Sequence, residues 1–339
     1  MPAEWERQAR CWLAWPDRAP LWGDGLSAAR DAYAAVARAI AAFEPVTMIA
    51  DPASVAEASV KCGKGIEIMP LPIDDSWIRD NGPSFVVDGA GRVSGIDWGW
   101  NAWGRMYDDF RQDAAVAGAM LAGMGMRGTR VPMILEGGSI VGDGAGTVLT
   151  TEECLLNPSR NPDMDRDSIA DALGRYLGTE KLIWLGRGLV DDDTDGHVDN
   201  VACFVGPGRV VALTTRDRDD ANFDRLADNL ARLKAATDAK GRSLDVLEIE
   251  QPAPRYLDGR RMPLSYINFC VVNGAVIVPQ FDDPKDRQAL SVIGDAFSGR
   301  EIIPMLTTDI CRGGGGIHCI TLQQPAGPVL PAEDEETVR

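Results

Sequence analysis

A hairpin-containing unit recurs along the chain, and this repeat constrains the fold more than any other feature. Each copy has an apolar, β-branched run, a turn that contains glycine, and a second apolar run, which is typical of a β-hairpin. The copies begin at Asp80, Glu136, His197 and Ile267, at intervals of 56, 61 and 70 residues. A repeat of this size predicts units arranged side by side or in a ring, so we expect about five blades of a propeller-like fold. The fifth blade would use "CWLAWP" and "VTMIA" near the N-terminus.

Segments with helical character separate the hairpins. Apolar residues at three- and four-residue steps predict helices over 26–43 and 218–238. Helices are also favoured over strands at 109–125, 163–177 and 284–298. Hairpins that alternate with helices indicate the α/β class. An ordinary mixed α/β protein also contains several hairpins. The positions of the polar residues are what favour a ring of repeats over such a fold.

The candidate functional residues lie where the repeats begin. They are Asp80, Glu136, His197, Asp199 and Cys319, the last of which opens the short apolar run "CIT". Equivalent positions in a ring of repeats converge on its axis. We therefore expect five separate segments to supply one polar site.

Cys319 is the candidate nucleophile. It follows "GGGGIH", and the chain has only two histidines, His197 and His318. On a strand, His318 and Cys319 would point to opposite faces, so the base for Cys319 should be His197. Amides of the glycine run, including Gly315 and Gly316, are expected to favour the thiolate and to admit a ligand close to the backbone. A buried structural cysteine is the alternative reading.

His197 lies among acidic residues in "DDDTDGHVDN". The spacing of His197 and Asp199 places them on one face if the segment is a strand. Neighbouring carboxylates favour a protonated imidazole, which suits a general acid that later acts as a base. Metal binding is the alternative for such a cluster, but a single histidine without a histidine partner is a weak transition-metal site. We therefore expect neither a metal nor a cofactor.

Carboxylates and aromatic rings point to a planar cation as the ligand. Trp77 and Asp80 lie in "DDSWIRDNGP", where an aromatic face and a carboxylate can stack on and pair with such a cation. Glu136, between an apolar stretch and two glycines, needs a cationic partner if it is buried. A site rich in carboxylates disfavours acyl transfer, which needs donors for an oxyanion. It favours a cysteine that attacks a guanidinium carbon.

Composition narrows the cellular setting and the partners. The net charge of −17 argues against nucleic acid and suits a cationic small ligand. Seven cysteines without a CxxC pair or zinc spacing indicate a reduced, cytoplasmic protein. The sequence shows no signal peptide and no apolar run of membrane-spanning length, so no membrane partner is expected. We expect one catalytic domain over residues 1–328 and a disordered acidic tail over 329–339.

Several longer stretches resemble the agmatine deiminases, which belong to the guanidine-modifying (pentein) superfamily. The resemblance runs from near the first residue to about residue 325. It is carried by "MPAEWE", "CWLAWP", "IDDSWIRDNGP", "WGWNAWG", "LEGGSIVGDGAGTVLTTEECLLNPSRNP", "WLGRGLVDDDTDGHVDNVACFV", "SYINFCVVNGAVIVP" and "GGGGIHCITLQQP".

The resemblance implies a five-bladed α/β propeller of ββαβ modules with pseudo-fivefold symmetry. It implies hydrolysis of agmatine to N-carbamoylputrescine and ammonia, without metal or cofactor, in putrescine and polyamine biosynthesis. Cys319 would be the nucleophile and His197 the general acid and base. Asp80 and Asp199 would hold the guanidinium, while Glu136 would orient His197 or bind the substrate. Trp77, Asp193, Gly315 and Gly316 would be pocket members, although the family usually has asparagine where this chain has Gly316.

Other functions stay open at this stage. A related hydrolase could act on arginine, a methylated arginine or peptidyl arginine, and an amidinotransferase would use the same covalent intermediate. The superfamily also includes a ribosome-associated translation factor that lacks the catalytic set. A cysteine peptidase would need an oxyanion hole, and the carboxylates disfavour it. The oligomeric state is not fixed by the sequence, and a homo-oligomer is one expectation.

Overall fold

The computed structural model describes residues 1–332 of the 339-residue chain. Its strands are β1 (Gln8–Ala14), β2 (Val46–Ala50), β3 (Ile66–Pro70), β4 (Ser84–Val87), β5 (Val93–Gly99), β6 (Gly128–Ile134), β7 (Val141–Gly142), β8 (Thr147–Thr151), β9 (Lys181–Leu185), β10 (Ala202–Gly206), β11 (Arg209–Thr214), β12 (Asp245–Glu250), β13 (Tyr256–Leu257), β14 (Arg260–Arg261), β15 (Cys270–Val272), β16 (Ala275–Gln280), β17 (Glu301–Leu306) and β18 (Thr321–Pro325).

The helices fall between these strands. They are α1 (Ala19–Trp22), α2 (Leu26–Ala41), α3 (Val55–Cys62), α4 (Ile78–Asn81), α5 (Ala102–Arg105), α6 (Asp113–Gly123), α7 (Glu152–Leu155), α8 (Arg166–Leu177), α9 (Phe223–Ala235), α10 (Asp286–Ala296) and α11 (Thr308–Cys311). The five predicted long helices are confirmed as α2, α6, α8, α9 and α10, each shorter than its sequence window.

The strands form five principal sheets with one repeated topology. In each, an antiparallel pair is followed by a helix and by a third strand parallel to the second. Four copies are continuous in sequence: β4–β5–α6–β6, β7–β8–α8–β9, β10–β11–α9–β12 and β15–β16–α10–β17. The ββαβ repeat and the predicted hairpins are therefore confirmed, and the fold is the α/β pentein propeller.

The fifth blade joins the two ends of the chain. Strand β18 pairs antiparallel with β1, and β1 pairs parallel with β2, which β3 extends. The N-terminal stretches "CWLAWP" and "VTMIA" therefore do belong to a blade, but its antiparallel edge strand, β18, comes from the C-terminal segment. The ring is closed by β-sheet hydrogen bonds between distant parts of the sequence.

Local sequence explains the repeat. In the last continuous blade, Asn273 and Gly274 connect two paired strands, and Gly274 has a φ of +81°, which a tight hairpin turn requires. In α9, the buried residues Leu226, Asn229 and Leu233 recur at helical spacing. Helix α9 contacts its own β11 and also β9 of the preceding blade. The helices therefore pack neighbouring blades together as well as covering their own sheets.

The predicted boundary at residue 328 falls inside a hydrogen-bonded segment. Val329 and Pro331 form bridges to Val93 and Met126, next to β5 and β6. These backbone contacts attach residues 329–332 to a blade, although they were assigned to a disordered tail. The remainder of that predicted tail, 333–339, lies outside the described residues. Within residues 1–332, no helix combines the length and apolarity needed to cross a bilayer.

Candidate active site

The candidate residues lie in the short segments that precede the first strand of each blade. Asp80 is in α4 before β4, Glu136 precedes β7, His197 and Asp199 precede β10, and Cys319 precedes β18. A Cβ atom at Gly138 would lie 2.6 Å from His197 Nδ1 and 2.9 Å from both Asp80 Oδ1 and Asp199 Oδ2. Different blades therefore bring these three side chains together around one glycine, as the ring hypothesis predicts.

Cys319 lies in a turn rather than on a strand, because β18 begins only at Thr321. Its Sγ atom is 3.2 Å from Asn268 Nδ2 and 3.6 Å from Asp199 Oδ2. Asn268 precedes β15, so it is the contribution of the remaining blade. The turn also makes the prediction of opposite faces for His318 and Cys319 wrong, since both side chains contact the same carboxylate oxygen.

The thiol is not activated by its surroundings alone. Burial raises the pKa of Cys319 well above its usual value, and the charges of Asp199 and Asp80 raise it further. A backbone hydrogen bond from Gly316 and the Asn268 side chain act in the opposite direction but do not offset the burial. The expectation that the glycine run would favour the thiolate is therefore wrong for the site without a ligand. A bound cation is needed to favour the thiolate.

His197 is buried but unpaired. Its exposed fraction is 1%, and neither ring nitrogen has a hydrogen-bond partner among the described residues. Nδ1 lies 3.8 Å from Asp80 Oδ1, and Nε2 lies 4.0 Å from Glu136 Oε2. The segment 198–200 is a 3-10 turn, so the predicted strand with His197 and Asp199 on one face is wrong. The tighter turn still directs both residues toward Gly138.

His318 is held from both sides by carboxylates. Nδ1 lies 2.8 Å from Asp199 Oδ2, and Nε2 lies 2.9 Å from Glu4 Oε1. Burial and the Arg79 charge oppose protonation, but the two carboxylates outweigh them and raise the pKa of His318 to about 9. The imidazolium therefore donates two hydrogen bonds and fixes the position of Asp199 beside Cys319.

Glu136 has a permanent partner that the sequence did not identify. Arg160 Nε donates to Glu136 Oε1 at 2.8 Å, and both side chains are fully buried. Arg160 is also paired with Asp195 and donates to the Thr194 carbonyl at 2.9 Å. Sequence reasoning offered His197 or a ligand as the cation for Glu136; His197 does lie 4.0 Å away, but the hydrogen-bonded cation is Arg160, which was not predicted as its partner. The ion pair also links Glu136 to the segment that carries His197.

A left-handed turn places an indole over Asp80. Residues Ala102, Trp103, Gly104 and Arg105 have φ angles of 53°, 51°, 83° and 68°. Such angles cost about 1–3 kcal/mol for each non-glycine residue and are typical of functional sites. The turn allows Trp103 Nε1 to donate to Asp80 Oδ2 at 3.0 Å, while the Gly138 amide donates to Asp80 Oδ1 at 2.8 Å. Burial raises the pKa of Asp80 to about 6, opposed by His197.

A cleft of about 350 Å³ leads to Cys319. Trp77 forms one wall and stacks on Trp22, with ring centroids 5.9 Å apart. A Cβ atom at Gly315 would lie 2.5 Å from the Trp77 ring and 3.0 Å from Cys319 Cβ, so only glycine fits between them. Gly316 does not line the cleft, because its Cβ position faces Asn268 Oδ1 at 2.4 Å. The Cβ position of Gly316 therefore meets Asn268, while its backbone amide interacts directly with Cys319.

Asp193 lies at the outer part of the cleft with Met106, Tyr107 and Thr194. It is ion-paired with Arg260, and about a third of its side chain, 35%, is exposed. The predicted pocket residue Asp193 therefore does line the cleft, but its negative charge is shared with Arg260.

Sequence reasoning missed four contributors: Glu4, Trp103, Asn268 and Arg160 in its role as partner of Glu136. A signal for Asn268 was available, because it occupies the same place before its hairpin as the other site residues. Glu4 carried no such signal, since its contact with His318 depends on closure of the ring.

The chain is similar to known proteins over nearly its whole length. The sequence profile of the Porphyromonas-type peptidyl-arginine deiminases matches residues 1–325. The agmatine deiminase of Pseudomonas aeruginosa (strain LESB58) is 43% identical, and the match covers 96% of this chain and 95% of that protein.

Two solved structures match nearly the whole chain. The agmatine deiminase of Enterococcus faecalis has a TM-score of 0.92 and 37% identity, covering 96% of this chain and 95% of its own. A C. jejuni agmatine deiminase variant with substrate bound has a TM-score of 0.90 and 30% identity, covering 97% of this chain and 96% of its own.

Proposed function

The chain belongs to the Porphyromonas-type peptidyl-arginine deiminase family, and on this premise we propose that it is an agmatine deiminase. It hydrolyses agmatine to N-carbamoylputrescine and ammonia through a covalent amidino-cysteine intermediate. The observation that carries the proposal is the convergence of Asp80, Asp199 and His197 around Gly138, beside the buried thiol of Cys319. The carboxylates suit a guanidinium ion, and the thiol suits attack on its carbon.

The cleft lining favours agmatine over arginine. Among the described residues that line it, none is arginine or lysine, while aromatic rings and Asp193 are present. Arginine would bring a carboxylate that needs a cation, whereas agmatine brings a primary ammonium. Asp193, although paired with Arg260, is a carboxylate that lines the cleft, and Tyr107 has one ring face covered by the Arg18 guanidinium at 3.9 Å and the other available to an ammonium ion. The names of the Pseudomonas and Enterococcus relatives point to the same substrate.

Substrate binding starts the reaction by changing the charge of the site. Asp80 and Asp199 take the guanidinium nitrogens and hold its carbon at Cys319. The cation offsets the two carboxylates that disfavour the thiolate, so the Cys319 proton passes to His197. The thiolate forms a bond to the guanidinium carbon, and His197 returns the proton to one nitrogen. The carbon–nitrogen bond breaks, ammonia leaves, and an amidino group stays on sulfur.

Water completes the turnover. Neutral His197 takes a proton from a water molecule, whose oxygen bonds to the same carbon. The carbon–sulfur bond then breaks and restores the Cys319 thiolate. The proton that the product oxygen loses ends on ammonia, so agmatine and water give N-carbamoylputrescine and ammonium. The His318 imidazolium keeps Asp199 in position throughout.

The proposal is tested by measuring ammonia and N-carbamoylputrescine formed from agmatine, with arginine and a peptidyl arginine in parallel. Cys319→Ala should abolish turnover, while Cys62→Ala, a change of another buried cysteine away from the cleft, should retain it. Turnover of arginine alone would contradict the substrate assignment. A folded protein with a reduced Cys319 that releases ammonia from no guanidine would contradict the whole proposal.

A further inference from the structure

A cysteine that the reaction does not use lies directly behind the catalytic histidine. Cys154 Sγ, Glu136 Oε2 and a ring nitrogen of His197 lie within 4.8 Å of one another. The three residues have exposed fractions of 0%, 0% and 1%. Nucleophilic attack involves Cys319, so this second thiol has no part in the proposed turnover.

The three atoms face one another, and the imidazole has no competing partner. The Cys154 thiol donates to Glu136 Oε2 at 3.9 Å, and His197 Nε2 lies 4.0 Å from the same oxygen. Both nitrogens of this buried ring lack a hydrogen-bond partner within residues 1–332. An unpaired buried imidazole beside a carboxylate and a thiol is an incomplete polar cluster that a further ligand would satisfy.

The donor set suits a zinc-type ion. Imidazole nitrogen, thiolate sulfur and carboxylate oxygen are the atoms that zinc prefers, at bond lengths of about 2.0 to 2.3 Å. Tetrahedral bonds of that length need donor spacings of about 3.3 to 3.5 Å, so the spacings of 3.9 and 4.0 Å would each shorten by about half an ångström when the ion binds. Arg160 binds the other oxygen of Glu136 at 2.8 Å, so Oε2 stays available and the carboxylate is held in orientation.

We propose that Cys154, Glu136 and His197 form a binding site for a thiophilic divalent cation such as zinc, and that this ion inhibits the enzyme reversibly. The metal–sulfur bond replaces the Cys154 S–H bond, and the proton is released to solvent. An ion on His197 Nε2 leaves the ring proton on Nδ1, the nitrogen that faces Asp80, so the ring can no longer accept a proton there. The inhibitory consequence rests on the proposed function, whereas the binding site does not.

Binding is tested with cobalt(II) as a spectroscopic probe on the full chain. A cobalt–thiolate bond gives a near-ultraviolet charge-transfer band, and Cys319→Ala removes the competing thiol of the cleft. We expect Cys319→Ala to keep the band and Cys319→Ala/Cys154→Ala to lose it. A band that survives loss of Cys154 but not of Cys319, or the absence of any band, would overturn the proposal. Cys154→Ser in the Cys319→Ala protein removes the thiol but keeps the size of the side chain. Loss of the band in this variant would therefore not be caused by unfolding.

Inhibition is tested separately by zinc titration of ammonia release. The half-inhibiting zinc concentration should rise at least about tenfold in Cys154→Ser relative to the parent enzyme, the smallest change expected when a metal site is damaged. Each variant is compared with its own zinc-free rate. Equal zinc sensitivity of both proteins would contradict the proposal. If the parent releases no ammonia, the deiminase assignment fails, but the cobalt titration still decides the metal site.

Discussion

The two histidines of this chain lie in neighbouring parts of one site and have opposite environments. Within residues 1–332, His197 has no hydrogen bond to either ring nitrogen, whereas His318 has a carboxylate on each. Both are buried. The two environments therefore differ in the hydrogen-bond partners of the imidazole rings and not in the extent of burial.

The comparison shows how one residue type serves two purposes. A histidine with satisfied nitrogens is a fixed cation whose proton is too strongly held for rapid transfer. A histidine with free nitrogens near carboxylates can give and take a proton when a ligand arrives. His318 therefore organises Asp199, and His197 is the residue suited to proton transfer.

Loss of the unpaired histidine should have the largest effect on activity. His197→Asn removes the proton donor, and we expect kcat to fall by roughly 10²–10⁴-fold. The unfolding free energy should change little, because His197 makes no hydrogen bond through its ring. Steady-state ammonia release and urea unfolding measure the two effects. A variant with activity within tenfold of the parent would show that another group transfers the proton.

Loss of the paired histidine should instead weaken the fold. His318→Gln leaves the buried Asp199 without its cation, which should cost about 3 to 5 kcal/mol of unfolding free energy, whereas Glu4 keeps its ion pair with Arg79 at 3.2 Å. Activity should fall too, since Asp199 loses its fixed position. Urea unfolding beside His197→Asn provides the matched control. If both variants unfold at the same urea concentration, the distinction between the two histidines is wrong.

The stabilising effect of His318 should depend on pH in one direction. Its pKa in the folded protein is raised to about 9, so its contribution is complete below the ordinary histidine pKa and is lost as the pH rises through about 9. The loss should be on the order of 3 kcal/mol for a shift of this size. Urea unfolding at pH 6 and pH 10 should show it in the parent protein. His318→Gln should show a smaller decline, and a parallel decline would contradict the assignment.

Gly316, close to His318, should give the smallest effect. Gly316→Asn restores the residue usual in the family, but its Cβ would press on Asn268 Oδ1, which accepts from the His318 amide at 2.9 Å. A disturbed hydrogen bond of this kind costs about 1 kcal/mol, so kcat should fall by less than about tenfold. Gly294→Ala, which has only ordinary contacts, is the control. A rise in kcat would show that Asn268 moves without cost.

The sequence predicted those parts of the site that depend on the repeat. Asp80, Glu136, His197 and Asp199 were found because they precede hairpins, and Cys319 because it opens another apolar run; a ring brings such positions together. The helices were found because their apolar residues recur with helical spacing. Both signals are local and periodic, so they do not require the three-dimensional structure.

The contacts that depend on closure of the ring could not be predicted. His318 was separated from Cys319 by a strand argument that fails in a turn. Arg160 was visible as a charge, but its direction depends on how the blades pack. The pKa of Cys319 was expected to be lowered by amides, but the pKa is raised because the thiol is buried, with only 4% of the residue exposed. Burial and side-chain direction are properties of the assembled ring.

Closure of the ring by the first and last strands has a consequence for biosynthesis. The chain leaves the ribosome with β1 first, and β18 with Cys319 emerges last. Until then β1 is an unpaired strand edge, which is a template for aggregation, and no nascent chain holds a complete site. Activity should therefore appear only after β18 has been made and has paired with β1, so a nascent polypeptide that lacks β18 is inert toward cellular guanidines.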